Sequence, residues 1–244
     1  MISLLERFFR KDDRNLSDRM QRHLRFKKRF DAGIAIDDAD FVAFDSELTG
    51  RDFKRDSLIS LGAVKLKGRT ILPAKTFYRL VKPDSELTSQ SVVIHEIMPS
   101  VLKDADELAD VIEDFIDFIG DAVLVGHFVH IDVNFVNKAM KKLYGRKLQN
   151  PSVDTASLQD WLYENDSRFA RHYGGMMATS DLFSMAQKYD IPITKAHNAF
   201  CDAFITAQLF QRFLNFLPEC GINTVKELLM IGKYIKGGDN TLLG

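Results

Sequence analysis

Asp45 and Glu47 stand two residues apart at the end of an apolar run, Phe41-Val42-Ala43-Phe44, that reads as a buried strand. Side chains alternate across a strand, so both carboxylates project to one side while Phe44 and Ser46 project to the other. Open α/β sheets gather ligands at the carboxyl ends of their strands, where this pair lies. Asp-x-Glu alone is a weak signal, and the sequence supplies its own decoy: Asp-Ser-Glu-Leu-Thr occurs at 45–49 and again at 84–88. The second copy follows Pro83 in a polar connection with no strand before it. Asp84 and Glu86 therefore read as solvated loop residues.

Two further segments carry acids beside histidines. In Leu124-Val125-Gly126-His127-Phe128-Val129-His130-Ile131-Asp132 a short apolar strand ends at Gly126, and Asp132 opens the next helix. An acid in a first helical turn commonly complements the helix dipole, so Asp132 gains meaning only in company. His127 and His130 lack a third nitrogen or sulfur ligand at zinc-like spacing. His130 reads as structural or surface, and His127 as the edge of a site. The other segment is Ala196-His197-Asn198-Ala199-Phe200-Cys201-Asp202-Ala203-Phe204. With Asn198 as helix cap, His197 and Asp202 take the two positions of a hydrophobic staple, which here would hold an imidazole beside a carboxylate. Asp202 has only apolar and small neighbours in sequence, an unfavourable place for an unpaired charge.

Four carboxylates brought together raise one another's pKa unless cations neutralise them. Hard oxygen ligands select magnesium or manganese over zinc or copper. Two such ions roughly 3.5–4 Å apart activate a water and stabilise a leaving oxygen, and a nearby histidine takes the water's proton. The chemistry these residues suggest is metal-dependent phosphodiester hydrolysis.

Periodicity gives the elements that must position them. Phe41 to Phe44, Leu58 to Leu66 and Thr76 to Val81 read as strands, the last two linked through Gly68 and Pro73; short links make the three an antiparallel meander. Asp104 to Ile119 is an amphipathic helix with Leu108, Val111, Ile112, Phe115 and Ile119 on one face. Then follow a strand at Ala122 to Val125, a helix at Ile131 to Leu143, and a strand at Pro151 to Asp154 leading into another helix. Helices follow at about 181–189 and 199–216. This order predicts an α/β sheet of mixed direction with helices on both faces.

The chain has 244 residues, 45% hydrophobic and 27% charged. That composition excludes whole-chain disorder and fits one catalytic-size domain with appendages. The formal net charge of −1 means that a polyanion must be held by local positive charge or by metal. Two cysteines, Cys201 and Cys220, argue against a disulfide scaffold and fit a reducing cytosol. No apolar stretch approaches the roughly 18 residues of a membrane span, and the reading is a soluble, cytoplasmic protein without membrane attachment. Residues 1–30 hold ten positive and four negative side chains, net +6. Leu16, Met20 and Leu24 recur there at helical spacing behind a Ser17 cap, with Gly33 as the stop. Residues 1–38 thus read as a basic helical extension packed on the main domain, 39–217 as the catalytic domain, and 218–244 as a short helix with a flexible Gly-Gly tail. Lys138, Lys141, Lys142, Arg146 and Lys147 read as a solvated helix face. Arg168, Arg171 and His172, before Gly174-Gly175, read as a loop lining a strand entrance, and Phe53 as a residue placed to stack on a base.

These motifs resemble the DEDD superfamily of 3′-to-5′ exonucleases, histidine subtype, the group that includes the proofreading epsilon subunit of bacterial DNA polymerase. The likeness rests on Phe44-Asp45-Ser46-Glu47-Leu48-Thr49-Gly50, on Val125-Gly126-His127 through Asp132, and on His197 through Asp202, joined by Val153-Asp154-Thr155 and Leu182 to Pro192. It covers about residues 39–216. It implies an RNase H-like fold, a mixed five-stranded sheet of three antiparallel and two parallel strands flanked by helices. It implies two Mg²⁺ or Mn²⁺ ions on Asp45, Glu47, Asp132 and Asp202, with His197 as general base. Leu48, Thr49, His127 and Phe128 would meet the substrate, Leu48 and Thr49 through their backbone. The implied substrate is single-stranded DNA at its 3′ end, with RNA or oligoribonucleotides as the alternative and a DNA polymerase as a possible partner. A noncatalytic nucleic-acid-binding module is the second alternative. Two positions depart from the pattern: Phe128 stands where Asn is usual, and Ile131 where Phe is usual.

Overall fold

The computed structural model describes residues 16–26, 29–83, 97–174, 180–194 and 196–233. Helix α1 (Asp18–Leu24) precedes a 3₁₀ turn at Ile36–Asp38 and three strands, β1 (Asp40–Leu48), β2 (Leu58–Lys67) and β3 (Thr70–Leu80). Then come α2 (Pro99–Lys103), α3 (Leu108–Ile119), β4 (Val123–Gly126), α4 (His130–Tyr144) and β5 (Ser152–Asp154). Helices α5 (Thr155–Asn165), α6 (Ser167–Tyr173), α7 (Leu182–Lys188) and α8 (Ala199–Leu214) follow, with a 3₁₀ turn at Leu217–Cys220 and α9 (Val225–Ile231).

The strand order is β3-β2-β1-β4-β5. β1 pairs antiparallel with β2 and β2 with β3, while β4 lies parallel to both β1 and β5. The expected mixed sheet of three antiparallel and two parallel strands is what the chain forms. β1 lies at its centre and is buried on both sides, as its continuous apolar run requires. Phe41 and Ala43 face a core completed by Leu209, Phe210 and Phe213 of α8, Leu158 and Leu162 of α5, and Val225 and Leu228 of α9. Val42 and Phe44 face the opposite core, with Met20 of α1, Val111, Ile112 and Phe115 of α3, and Val136 and Met140 of α4. The period-2 alternation of β1 thus divides its side chains between two helical layers.

Three local expectations are corrected. Pro73 does not mark the β2–β3 link: the turn is Gly68-Arg69, with Gly68 at φ 52°, and Pro73 lies inside β3. Lys65 pairs with Leu72 but Val64 with Thr76, so Pro73 to Lys75 bulge from the ladder on an edge strand, where a missing N–H is tolerated. Ser17 does cap α1, accepting from the Met20 N–H, but the helix stops at Leu24 rather than running to Gly33. Arg168, Arg171 and His172 form helix α6 instead of a loop, because Asp166 caps it through the Arg168 and Phe169 N–H groups. Arg168 also pairs with Asp166 and Glu219.

The described part of the basic arm docks on acids of α3 and of the turn that follows it: Arg19 on Asp114 and Arg22 on Asp117 at 2.7 Å in the helix, and Arg29 on Asp121 just beyond its end. These pairs are half exposed and screened by solvent, so they add little to stability; the apolar anchor is Met20, fully buried. The C-terminal helix is tied to the sheet, with the Asp154 N–H donating to the Gly232 carbonyl and the Ile36 N–H to that of Asn223. Six further basic residues of the arm (Arg7, Arg10, Lys11, Arg14, Lys27, Lys28), the decoy at 84–88, Gly175 and the Gly-Gly tail lie outside the described residues. No helix among the described residues is long and apolar enough to cross a membrane.

Candidate active site

The carboxyl end of β1 carries Asp45 and Glu47 on the face covered by α8. Asp202 meets them there: one carboxylate oxygen from each of the three lies within 4.8 Å of the others. What permits this approach is Gly62 on β2, paired directly with Asp45. A Cβ on Gly62 would lie 2.2 Å from the Ala199 carbonyl carbon. Only a residue without a side chain lets the first turn of α8 rest on the sheet at that height. Asn198 caps α8 by accepting from the Cys201 N–H, as its sequence position predicts.

Asp132 arrives from the other face, in the first turn of α4. Its Oδ1 accepts from the Ser46 backbone N–H at 3.0 Å and from the Ser46 hydroxyl at 2.5 Å. Ser46 points away from Asp45 and Glu47, as alternation demands, and thereby holds the fourth acid at the strand's edge. The site wraps around the end of β1, with three acids on one side and one on the other. A register shift between Glu47 and Leu48 marks the place where pairing with β2 loosens.

The charges are felt in the ionisation of these groups. Burial first, then Asp132, Glu47 and Asp202, push the Asp45 carboxyl well above the usual carboxylate range. Burial raises Asp132 to about 7, against the lowering effect of its Ser46 hydrogen bonds. Burial and the Glu47 charge raise Asp202 to about 8, although its carboxylate accepts from the His197 backbone N–H. Asp202 Oδ1 is buried without a hydrogen-bond partner among the described residues. A hard cation fits this donor set: oxygen ligands only, mutual repulsion, and one buried oxygen with nothing to bond.

One histidine ring, that of His197, lies elsewhere than beside the Asp202 carboxylate. His197 is exposed, in the left-handed region at φ 56°, and its imidazole packs edge-on against the Phe183 ring at 5.0 Å. It is the backbone N–H of His197, not the ring, that contacts the Asp202 carboxylate. His127 is buried between Thr155 Oγ1 (2.9 Å from Nδ1) and the Ser180 carbonyl. A carbonyl only accepts, so Nε2 carries the proton, and burial lowers the pKa, keeping the ring neutral. The Phe128 ring packs at a tilt against His127, 4.6 Å between ring centres, and Phe128 also has a left-handed backbone, φ 53°. Asn tolerates that conformation, whereas Phe holds it at a cost of about 1–2 kcal/mol. Strained non-glycine residues thus stand at two corners of the site. Leu48 and Thr49 are buried; the Thr49 N–H donates to the Ser57 carbonyl, and its hydroxyl donates to Asp56 and accepts from the Ser57 N–H. His130 starts α4 and is half-buried.

Three supporting residues escape sequence reasoning. Ser46 lies inside the first motif but carries no chemistry there that its type announces, and Gly62 belongs to no motif. Asp154, fully buried at the end of β5, accepts from the Val129 N–H at 2.7 Å and the Ser157 N–H at 3.0 Å, fixing the turn that aims Asp132 while it caps α5. An acid directly before a helix was its available signal.

Comparison with known proteins agrees with this geometry. The chain is 34% identical over 194 residues to the DNA polymerase III PolC-type protein of Bacillus subtilis, covering 79% of this chain but 13% of that one. It is 29% identical over 180 residues to the DNA polymerase III subunit epsilon of Aquifex aeolicus, covering 74% and 83%. The chain therefore spans about an eighth of the length of the PolC-type relatives it matches. In fold it is similar to E. coli exonuclease I in complex with a dT13 oligonucleotide (TM-score 0.63, 15% identity, 74% of this chain and 42% of that one). It is likewise similar to exonuclease X in complex with 5′ overhanging duplex DNA (TM-score 0.59, 18% identity, 79% and 99%). The family model described as Exonuclease (RNase_T) matches residues 42–210, from near the start of β1 through most of α8 and across all four acids, and the chain belongs to that exonuclease family.

Proposed function

We propose that this chain is a divalent-metal-dependent 3′-to-5′ exonuclease of the histidine subtype, releasing nucleoside 5′-monophosphates from single-stranded DNA ends. The carrying observation is the triad Asp45, Glu47 and Asp202 within 4.8 Å, with a buried Asp202 oxygen left unbonded among the described residues. Asp45, Glu47, Asp132 and Asp202 would hold two Mg²⁺ or Mn²⁺ ions. Bound there, the ions supply Lewis-acid stabilisation of charge on the phosphodiester and acidify water. The chain's own residues do the rest. His197, exposed at the mouth of the site, swings from the Phe183 ring to take a proton from the attacking water at an imidazole nitrogen. The backbone at Leu48 and Thr49 and the ring of Phe128 seat the terminal nucleotide, and His127 braces Phe128 from behind. Ser46 and Asp154 keep Asp132 aimed while substrate enters.

The catalytic unit is residues 39–217, with the basic extension and the C-terminal segment as appendages of a cytoplasmic protein. The named functions of the relatives favour DNA as substrate and a DNA polymerase as partner. The full set of acids plus His197 argues against a noncatalytic binding module, which would not need them. Matched DNA and RNA oligomers labelled at either end, digested with and without Mn²⁺, test the proposal. Stepwise loss from the 3′ end of DNA is expected, abolished in Asp45→Ala and Asp202→Ala. Preferred hydrolysis of RNA would shift the substrate, and undiminished hydrolysis by either variant would overturn the mechanism.

A further inference from the structure

The loop between β1 and β2 displays Phe53 with 47% of its surface exposed. The loop is braced from within. Asp52 accepts from the Lys54 N–H, and Asp56 accepts from the Asp52 N–H and the Thr49 hydroxyl. A Cβ on Gly50 would lie 2.5 Å from the Asp56 carboxylate, so that turn is closed tightly as well. From α4, Lys138 donates to the Asp56 carbonyl at 2.6 Å and lies 5.8 Å from the ring centres of both Phe53 and Phe135. Phe53 meets Phe135 edge-to-face at 5.6 Å. A large apolar ring held in place yet left half in water is the arrangement of a contact surface.

Its direction follows from α4. Asp132, Phe135, Lys138 and Lys142 recur at three- and four-residue spacing, so they form one stripe along the helix. The stripe starts with a site carboxylate, passes the aromatic pair, and continues into cations. Beyond Phe135, an apolar hollow lined by Leu58, Val81 and Leu108 is rimmed by Lys82, Lys138 and Lys142. Arg51, Lys54 and Arg55 are exposed on the Phe53 loop itself. Phe135 follows Asp132 by about 4.5 Å along the helix axis, one to two base rises of about 3.4 Å. An acid site, then a stacking ring, then positive charge is the order in which a single strand presents its scissile phosphate, its bases and its remaining phosphates.

We propose that Phe53, backed by Phe135 and flanked by Lys138 and Lys142, is the stacking platform for one of the two bases behind the 3′-terminal nucleotide of a single-stranded substrate. This rests on the exonuclease reading and adds to it a specific positioning residue and the path of the strand. Base–aromatic stacking of this kind sets affinity without reading sequence.

The test is steady-state hydrolysis of a short oligothymidylate with Mn²⁺, either intact or made abasic at the second and third positions from its 3′ end. Phe53→Ala is expected to raise KM for the intact strand by about 5- to 150-fold with kcat nearly unchanged. The penalty disappears on the abasic strand. Phe53→Trp, which adds to the single native Trp161, keeps the wild-type KM, and its fluorescence is quenched on titration with the oligomer. If the wild type hydrolyses the strands but Phe53→Ala matches it, or is penalised equally on intact and abasic strands, the platform is overturned. If the wild type hydrolyses neither, the exonuclease reading fails. The quenching titration then decides the platform by itself, quenching supporting it and its absence refuting it.

Discussion

Replacing Asp202 by Asn should make the metal-free protein more stable at neutral pH, against the usual direction for a buried polar substitution. Burial and the Glu47 charge raise the Asp202 carboxyl to about 8 in the folded chain, whereas an unfolded Asp ionises near 3.9. The folded state therefore binds a proton that the unfolded state releases. Stability contributed by that proton is complete below about pH 4 and is lost as pH rises towards 8. At pH 7 the loss reaches about 1.4 kcal/mol for each of three units, or about 4 kcal/mol, if the group acts alone. Asn has nearly the same shape, keeps an oxygen for the His197 N–H, and brings an amide that can donate to the neighbouring carboxylates. With relaxation in a real interior, the expected gain is about 2–4 kcal/mol. For a chain of this size that raises Tm by about 4–16 °C. Melting curves in EDTA at pH 4 and pH 8 check it: the variant should melt well above wild type at pH 8 and beside it at pH 4. Mn²⁺ should reverse the order at neutral pH, because ligand binding stabilises only the chain that retains the site. A variant less stable than wild type in EDTA at pH 8, or equally stabilised at both pH values, would refute the reasoning.

Other consequences can be checked in the same preparations. Gly62→Ala places a methyl group against the Ala199 backbone; it should cost about 1–3 kcal/mol and shrink the rise in Tm on adding Mn²⁺, and an unchanged melt with an unchanged Mn²⁺ response would contradict it. Ser46→Ala removes a hydrogen bond that lowers the Asp132 pKa. The acid limb of the Mn²⁺-dependent rate should therefore move up by about half to one pH unit, since Asp132 ionises less readily; no movement, or movement downward, counts against the role of Ser46. His197→Gln should lower kcat by about 10²- to 10⁴-fold and leave Tm and oligomer affinity in place; a kcat near wild type would remove the histidine from the chemistry.

The sheet was readable because β1 and β4 are continuous apolar runs, and because α3 and α4 repeat at helical spacing between clear breaks. Asp45 and Glu47 were readable for a simpler reason: a strand puts residues two apart on one face, whatever lies around it. Where reading stopped, long-range contact decides. The bulge at Pro73 depends on how β3 pairs with β2, and periodicity within β3 does not contain that information. Gly62 matters because Ala199, far along the chain, rests on it, and Ser46 because Asp132, 86 residues away, bonds to it. Helix α6 was missed because its start depends on the Asp166 cap, while a Gly-Gly pair and a run of cations suggested a loop. His197 was foreseen near Asp202, but its left-handed backbone directs the N–H rather than the ring at the carboxylate. Such a dihedral has no signature in residue type alone.

Calorimetric titration with Mn²⁺ at neutral pH, repeated in two buffers of different ionisation enthalpy, reaches the central claim without a nucleic acid. Saturable binding of two ions with net release of protons is expected, because carboxyls raised to about 7 and 8 at Asp132 and Asp202 must ionise as cations enter. Binding should be lost in a variant carrying both Asp45→Asn and Asp202→Asn. Absence of saturable binding by the wild type, or the same isotherm from the doubly substituted chain, would contradict the account.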